Sequence, residues 1–190
     1  MPGFQQPQEV EVEGNTIDRY IVEGKTIYYV SRDVWCDGLP VQSGSARPLE
    51  DFEGIVAHHT VGYAKGSALS DKIAYMQYLQ GGARPDLGPE VPYSFVVFGD
   101  ADPEVAWICE GRGLGRTGAH TKGHNYDRYG CAWAGNSNND PINDAVVNAY
   151  RLLKSWSAET AVTTGHRDWA ATACPGSNLY ARLSEIGVPI

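Results

Sequence analysis

Gly54-Ile55-Val56-Ala57-His58-His59-Thr60 reads as a strand buried on both faces, because its apolar residues run consecutively and stop abruptly at two imidazoles. Such a strand belongs in the middle of a sheet covered by helices on both sides, where ligands gather at strand ends. Chemistry is therefore expected at its carboxyl end. A second stretch, Gly165-His166-Arg167-Asp168-Trp169-Ala170-Ala171-Thr172-Ala173-Cys174-Pro175-Gly176, puts an imidazole and a thiol on one short loop. Cys and neutral His both suit Zn(II), and the gap between His166 and Cys174 lets the chain leave a strand end, loop round and return to the same ion. Two ligands do not hold a catalytic zinc. The third is expected from the imidazoles that end the first stretch, with His58 the first candidate.

Around this pair the periodicities supply the other elements. Residues 16–22 and 25–30 are β-branched and aromatic, and Glu23-Gly24 between them makes a hairpin turn, read as an edge hairpin covering the sheet. Residues 31–35 lead into a Gly-, Pro- and Ser-rich passage through Pro48 that reads as surface loop, and 1–7 read as loose. Leu69, Ile73, Met76 and Leu79 recur at helical spacing, with Ser67 or Ser70 as the cap. Residues 81–92 are loop, and 91–98 and 105–109 form an antiparallel strand pair. The glycine-punctuated passage 111–130 reads as a functional loop, followed by a strand at 131–134. Asp140 as N-cap with Pro141 behind it opens a helix whose apolar face runs from Ile142 to Trp156. A strand at 161–165 presents His166, and Ser177 caps a last helix with Leu179, Leu183 and Ile186 inward, ended by Gly187 and Pro189. The expected fold is α/β: a mixed central sheet flanked by about three helices. Residues 1–30 form an N-terminal extension and 31–190 the main domain.

A chain of 190 residues buries a sizeable single core. The formal net charge of −8, with no basic stripe, argues against nucleic acid as a partner. The four cysteines are too scattered for a disulfide framework, and Cys36, Cys109 and Cys131 read as core thiols. No stretch has the length of a membrane span, and the first residues do not read as a secretion signal.

Several separated motifs, in order, resemble the zinc-dependent N-acetylmuramoyl-L-alanine amidases, a family that includes phage lysozyme-type amidases and peptidoglycan recognition proteins. They are Ser31-Arg32-Asp33-Val34-Trp35, Val56-Ala57-His58-His59-Thr60, Val91-Pro92-Tyr93-Ser94-Phe95, Gly111-Arg112-Gly113 with Gly118-Ala119-His120-Thr121-Lys122-Gly123-His124-Asn125, and His166-Arg167-Asp168 with Thr172-Ala173-Cys174-Pro175-Gly176. The resemblance implies the recognition-protein-like amidase fold, with His58, His166 and Cys174 as zinc ligands. Tyr93 matches the family's active-site tyrosine, and Thr172 a position where some phage members carry lysine. His59, on the opposite face of its strand, is expected to be a hydrogen-bonded core imidazole.

His120, His124 and Asn125 fall in the groove loop, where they either contact glycan or stem peptide or brace the loop. Of the tryptophans, Trp35, Trp107, Trp133, Trp156 and Trp169, most are expected in the core or at a rim. The strand that bears a catalytic carboxylate in some bacterial relatives here offers only Ala132 and Ala134. Tyr93 is then expected to share the proton transfers with the water that zinc activates. The implied function is hydrolysis of the muramoyl–alanine bond of peptidoglycan, with a non-catalytic peptidoglycan-binding module as the alternative. A monomeric phage endolysin domain is the preferred context, acting from host cytoplasm to wall, with either a separate wall-binding module or a specialised target expected. A secreted protein is the other setting.

Overall fold

The computed structural model describes residues 6–36, 44–81, 90–157 and 161–187. Residues 37–43 and 82–89 of the expected loops, and the Pro189 stop, lie outside them. Eight strands form one mixed sheet: β1 (Gln8–Val12), β2 (Asn15–Val22), β3 (Lys25–Val30), β4 (Gly54–His59), β5 (Phe95–Gly99), β6 (Val105–Glu110), β7 (Tyr129–Trp133) and β8 (Val162–Gly165). They lie in the order β1-β2-β3-β6-β5-β7-β4-β8. The helices are α1 (Arg32–Trp35), α2 (Leu69–Gly81), α3 (Asp144–Ser155), α4 (Ser177–Ala181) and α5 (Leu183–Ile186).

Alternation of side chains along the strands divides the core in two. Phe95, Val97, Ala106 and Ile108 pack with α3 residues such as Val146, Ala149 and Leu153, while Val96, Phe98, Trp107 and Cys109 pack with Trp35, Leu69 and Met76 of α1 and α2. In β4, all six residues are buried, and Ile55 and Ala57 belong to the α3 side. His58 therefore faces the other side. There, the 111–128 segment lies against the sheet. Arg112 anchors it, donating to the carbonyls of Val91 at 3.0 Å and Thr117 at 2.9 Å and pairing with Glu90.

Several sequence expectations give way to longer-range partners. The hairpin does not cover the sheet but extends it, since β3 pairs parallel with β6. A strand, β1, precedes it, paired with β2, where the sequence reading had placed no element between the loose opening and residue 16. The N-terminus of α2 is capped neither by Ser67 nor by Ser70. The carboxylate of Glu13, in the β1–β2 turn, accepts the Leu69 and Ser70 N–H groups at 2.9 Å each. Residues 32–35, to which the sequence reading gave no secondary structure, form α1 with Trp35 fully buried. The strand expected at 91–98 starts only at Phe95, because the carbonyls of Pro92, Tyr93 and Ser94 accept from Ala119, Arg112 and Gly111 of the long loop.

The N-cap of α3 is Asn143, whose side chain accepts the Val146 N–H at 2.9 Å, a contact worth about 1 kcal/mol. Asp140 instead accepts the Asn136 N–H and the Tyr63 hydroxyl. The last helix is broken at Arg182 into α4 and α5, and Ser177 lies inside α4 after Gly176.

Candidate metal centre

β4 and β8 are parallel neighbours with Ala57 opposite Gly165, so their carboxyl ends lie side by side. His58 near the end of one strand and His166 just past the end of the other stand with ring centroids 4.6 Å apart. The chain then turns through residues 166–168. The Asp168 carboxylate closes that turn by accepting the Gly165 N–H at 2.8 Å and the Tyr180 hydroxyl at 2.5 Å. Arg167 draws the returning strand back, its N–H donating to Cys174 O at 2.9 Å and its guanidinium to Ala173 O at 2.6 Å. This places Cys174 Sγ 3.5 Å from His58 Nδ1, where it also receives the His59 N–H at 3.4 Å. One donor atom each from His58, His166 and Cys174 lies within 4.8 Å of the others, the one such group of three among the described residues.

Burial disfavours the charged forms of these groups. It lowers the His58 pKa well below its ordinary value, reinforced by the neighbouring His120 and His166, and lowers that of His166. The Cys174 thiol is pushed up to about 11 by burial, opposed by the His59 N–H and Arg167. A cation entering here meets two imidazole lone pairs and has to displace the thiol proton. The geometry fits zinc: ligands at a tetrahedral angle, with Zn–N about 2.0–2.1 Å and Zn–S about 2.3 Å, stand about 3.6 Å apart. His58 Nδ1 and Cys174 Sγ are at 3.5 Å.

The half-buried Tyr93 ring lies 5.3 Å from the His58 ring. Thr172 is exposed, and its hydroxyl accepts the Cys174 N–H at 3.2 Å. His59 is buried with Nδ1 lacking a hydrogen-bond partner among the described residues, so the expected hydrogen-bonded imidazole is not realised at that nitrogen. Ala132 stands opposite His58 on β7 and brings no carboxylate.

The loop residues are occupied with one another. His120 is buried, which lowers its pKa to about 4. Its Nδ1 is 3.0 Å from His58 Nε2, and its Nε2 is 3.2 Å from the Arg128 carbonyl. Asn125 Oδ1 accepts the N–H groups of His120 at 2.7 Å and Thr121 at 2.9 Å. The His124 ring packs 3.8 Å from that of Trp169, with Nδ1 3.3 Å from Asp127. Trp35, Trp107 and Trp133 are buried, and Trp169, 37% exposed, is the one that packs on His124. Sequence reasoning gave no role to Thr121, whose hydroxyl stands 3.3 Å from His58 Nε2, or to Arg128, whose carbonyl holds His120. The small residues Gly130 and Ala132 on the facing strand were the available signal.

Residues 48–177 match the N-acetylmuramoyl-L-alanine amidase family. The chain is similar to peptidoglycan-recognition protein SC2 of Drosophila melanogaster, at 30% identity over 67% of this chain and 70% of that protein. It is also similar to an N-acetylmuramoyl-L-alanine amidase of Sus scrofa, at 34% identity over 77% of this chain and 25% of that protein. Peptidoglycan recognition protein LE, solved in complex with tracheal cytotoxin, a monomeric diaminopimelic acid-type peptidoglycan, shares the fold with a TM-score of 0.70. Its identity is 21%, over 83% of this chain and 92% of that one.

Proposed function

Because this chain belongs to the N-acetylmuramoyl-L-alanine amidase family, we propose that it hydrolyses the amide between N-acetylmuramic acid and L-alanine of peptidoglycan, with zinc held by His58, His166 and Cys174. The observation that carries this reading is the thiol of Cys174 turned toward His58 at ligand spacing, which a pure binding module does not need. Zinc held by two neutral imidazoles and one thiolate supplies Lewis acidity to a carbonyl and to a water molecule.

The chain's own groups do the rest. Tyr93, a phenol beside His58, donates a hydrogen bond to the oxygen that gains charge and relays to the departing amine the proton that the attacking water gives up, so that it ends as a neutral phenol again. Thr172 holds the Cys174 backbone, and its exposed hydroxyl faces solvent as a second donor. His124 with Trp169 offers a rim for the sugar or stem peptide, while His120 and Asn125 order the loop behind it. The catalytic unit in this reading is 31–190, with 1–30 as an extension. No helix among the described residues is long and apolar enough to cross a membrane.

A phage endolysin acting on its host's wall is part of the proposal, supported by the motif resemblance alone. Restoration of lysis to an endolysin-deleted phage tests it. The amidase reading is tested by incubating the protein with purified walls and measuring new amino termini. Release that stops with a chelator, returns with zinc and is absent in Cys174→Ser is expected. Binding without release supports a recognition module, the reading favoured by the names of relatives such as SC2.

A further inference from the structure

Two groups line up behind His58: its Nε2 lies 3.0 Å from His120 Nδ1, and His120 Nε2 lies 3.2 Å from the Arg128 carbonyl oxygen. The line has a direction. A carbonyl oxygen only accepts, so the hydrogen of a neutral His120 ring sits on Nε2 and its Nδ1 carries a lone pair. His58 Nε2 must then be the donor, and its other nitrogen, Nδ1, is left bare toward Cys174. Thr121 Oγ1 agrees with the same assignment, since it stands 3.3 Å from His58 Nε2, from which it accepts, and 3.0 Å from His120 Nδ1, to which it donates. At the far side, the Cys174 S–H, 3.5 Å from Nδ1, finds an acceptor there.

We propose that His120 is a positioning residue: anchored by the Arg128 carbonyl, it fixes His58 in the Nε2–H form and so keeps the Nδ1 lone pair aimed at the metal position. The consequence for catalysis rests on the zinc reading above, whereas the proton assignment itself does not.

The protein is shaped to hold this ring. A Cβ on Gly130 would come within 2.5 Å of His120 Cδ2 and 3.0 Å of its Cβ, and Gly118 is crowded by the same ring. The Asn125 carboxamide pins the backbone of His120 and Thr121 from the other side. An outer partner of a metal-binding imidazole typically contributes 10–100-fold in metal affinity. Here that partner is a second imidazole, and the ultimate reference is a main-chain carbonyl, which no change of side chain or pH removes.

Long-range proton–nitrogen NMR spectra of the metal-free full chain, labelled at histidine, read each ring's tautomer directly. His58 and His120 are both expected as Nε2–H. In the double variant His120→Phe/Thr121→Val, which removes both acceptors, zinc affinity measured by competition with a chromogenic chelator is expected to fall about 10–100-fold. His120→Gln, able to accept from His58 and donate to Arg128, is expected to keep most of it. The proposal is overturned if His58 is Nδ1–H in the parent, or if the double variant, with a parent-like amide spectrum, binds zinc as tightly as the parent. Should that variant not fold, the parent's tautomers decide. A protein with these tautomers that cuts no peptidoglycan upholds the positioning role and sinks the amidase reading. One that cuts with His58 as Nδ1–H does the reverse.

Discussion

Gly130→Ala sets two effects against each other at the centre of β7. Glycine in a strand interior ordinarily costs about 0.5–1 kcal/mol relative to alanine, so the substitution at an indifferent position stabilises. Gly130 is not indifferent. The new methyl would meet His120 at Cβ, 3.0 Å away, as well as at the ring, so a change of rotamer does not clear it. The ring is also held at both nitrogens, by His58, Thr121 and Arg128. Overpacking of a buried site costs about 1–3 kcal/mol, and loosening one of the ring's hydrogen bonds adds about 1 kcal/mol. The net expectation is a loss of about 2 kcal/mol, or a urea midpoint lower by about 1 M at an m-value of about 2 kcal/mol/M. Gly99→Ala in the neighbouring β5 is the control, because its added Cβ meets only Val146 Cγ2 at 3.7 Å. It is expected to be neutral or stabilising by up to about 1 kcal/mol. Urea unfolding of parent and both variants reads the difference. A Gly130→Ala protein as stable as the parent would refute the close packing of His120 on β7.

The remaining predictions concern chemistry and pH. Tyr93→Phe is expected to cut turnover on a muramoyl-peptide about 10²-fold or more, and release at the parent rate removes Tyr93 from the proton transfers. Zinc has to displace the proton of a thiol whose pKa is about 11, so apparent zinc affinity should rise about tenfold per pH unit between pH 7 and 9. Competition with a chelator calibrated at each pH checks this, and a flat profile contradicts a protonated resting thiol. The Glu13 carboxylate is held below its ordinary pKa mainly by the Ser70 and Leu69 N–H groups. A lowered folded-state pKa means its stabilisation is present above the unfolded value and lost as pH falls through the folded one. Glu13→Gln should therefore melt below the parent at pH 7, with the gap closing in acid. A gap that persists at the acid end counts against the cap.

What the sequence made legible was decided by burial of consecutive or periodic residues. Ile55, Val56 and Ala57 are apolar in a row because both faces of β4 are covered, and α3 shows its face because Val146, Ala149 and Leu153 recur at helical spacing. β1 was not legible. Its residues are mostly exposed, so hydrogen bonding to β2 holds it more than burial of its own side chains. Nor could local reading find the Glu13 cap, which crosses from one hairpin turn to a helix distant in the chain.

The site divides in the same way. Residue type exposed His58, His166 and Cys174 as donors, but their convergence depends on the parallel register that sets Ala57 opposite Gly165, which neither segment encodes alone. His120 was singled out for its chemistry, whereas its work against His58 became visible only once β7 was seen to offer Gly130 and Ala132 on the facing side. A glycine inside a buried strand breaks the local propensity rule, and such breaks are expected where another group has to come close. Gly130 yields its side-chain space to an imidazole that carries a backbone carbonyl's preference to a prospective metal ligand. That is why strand propensity alone assigns the position no purpose.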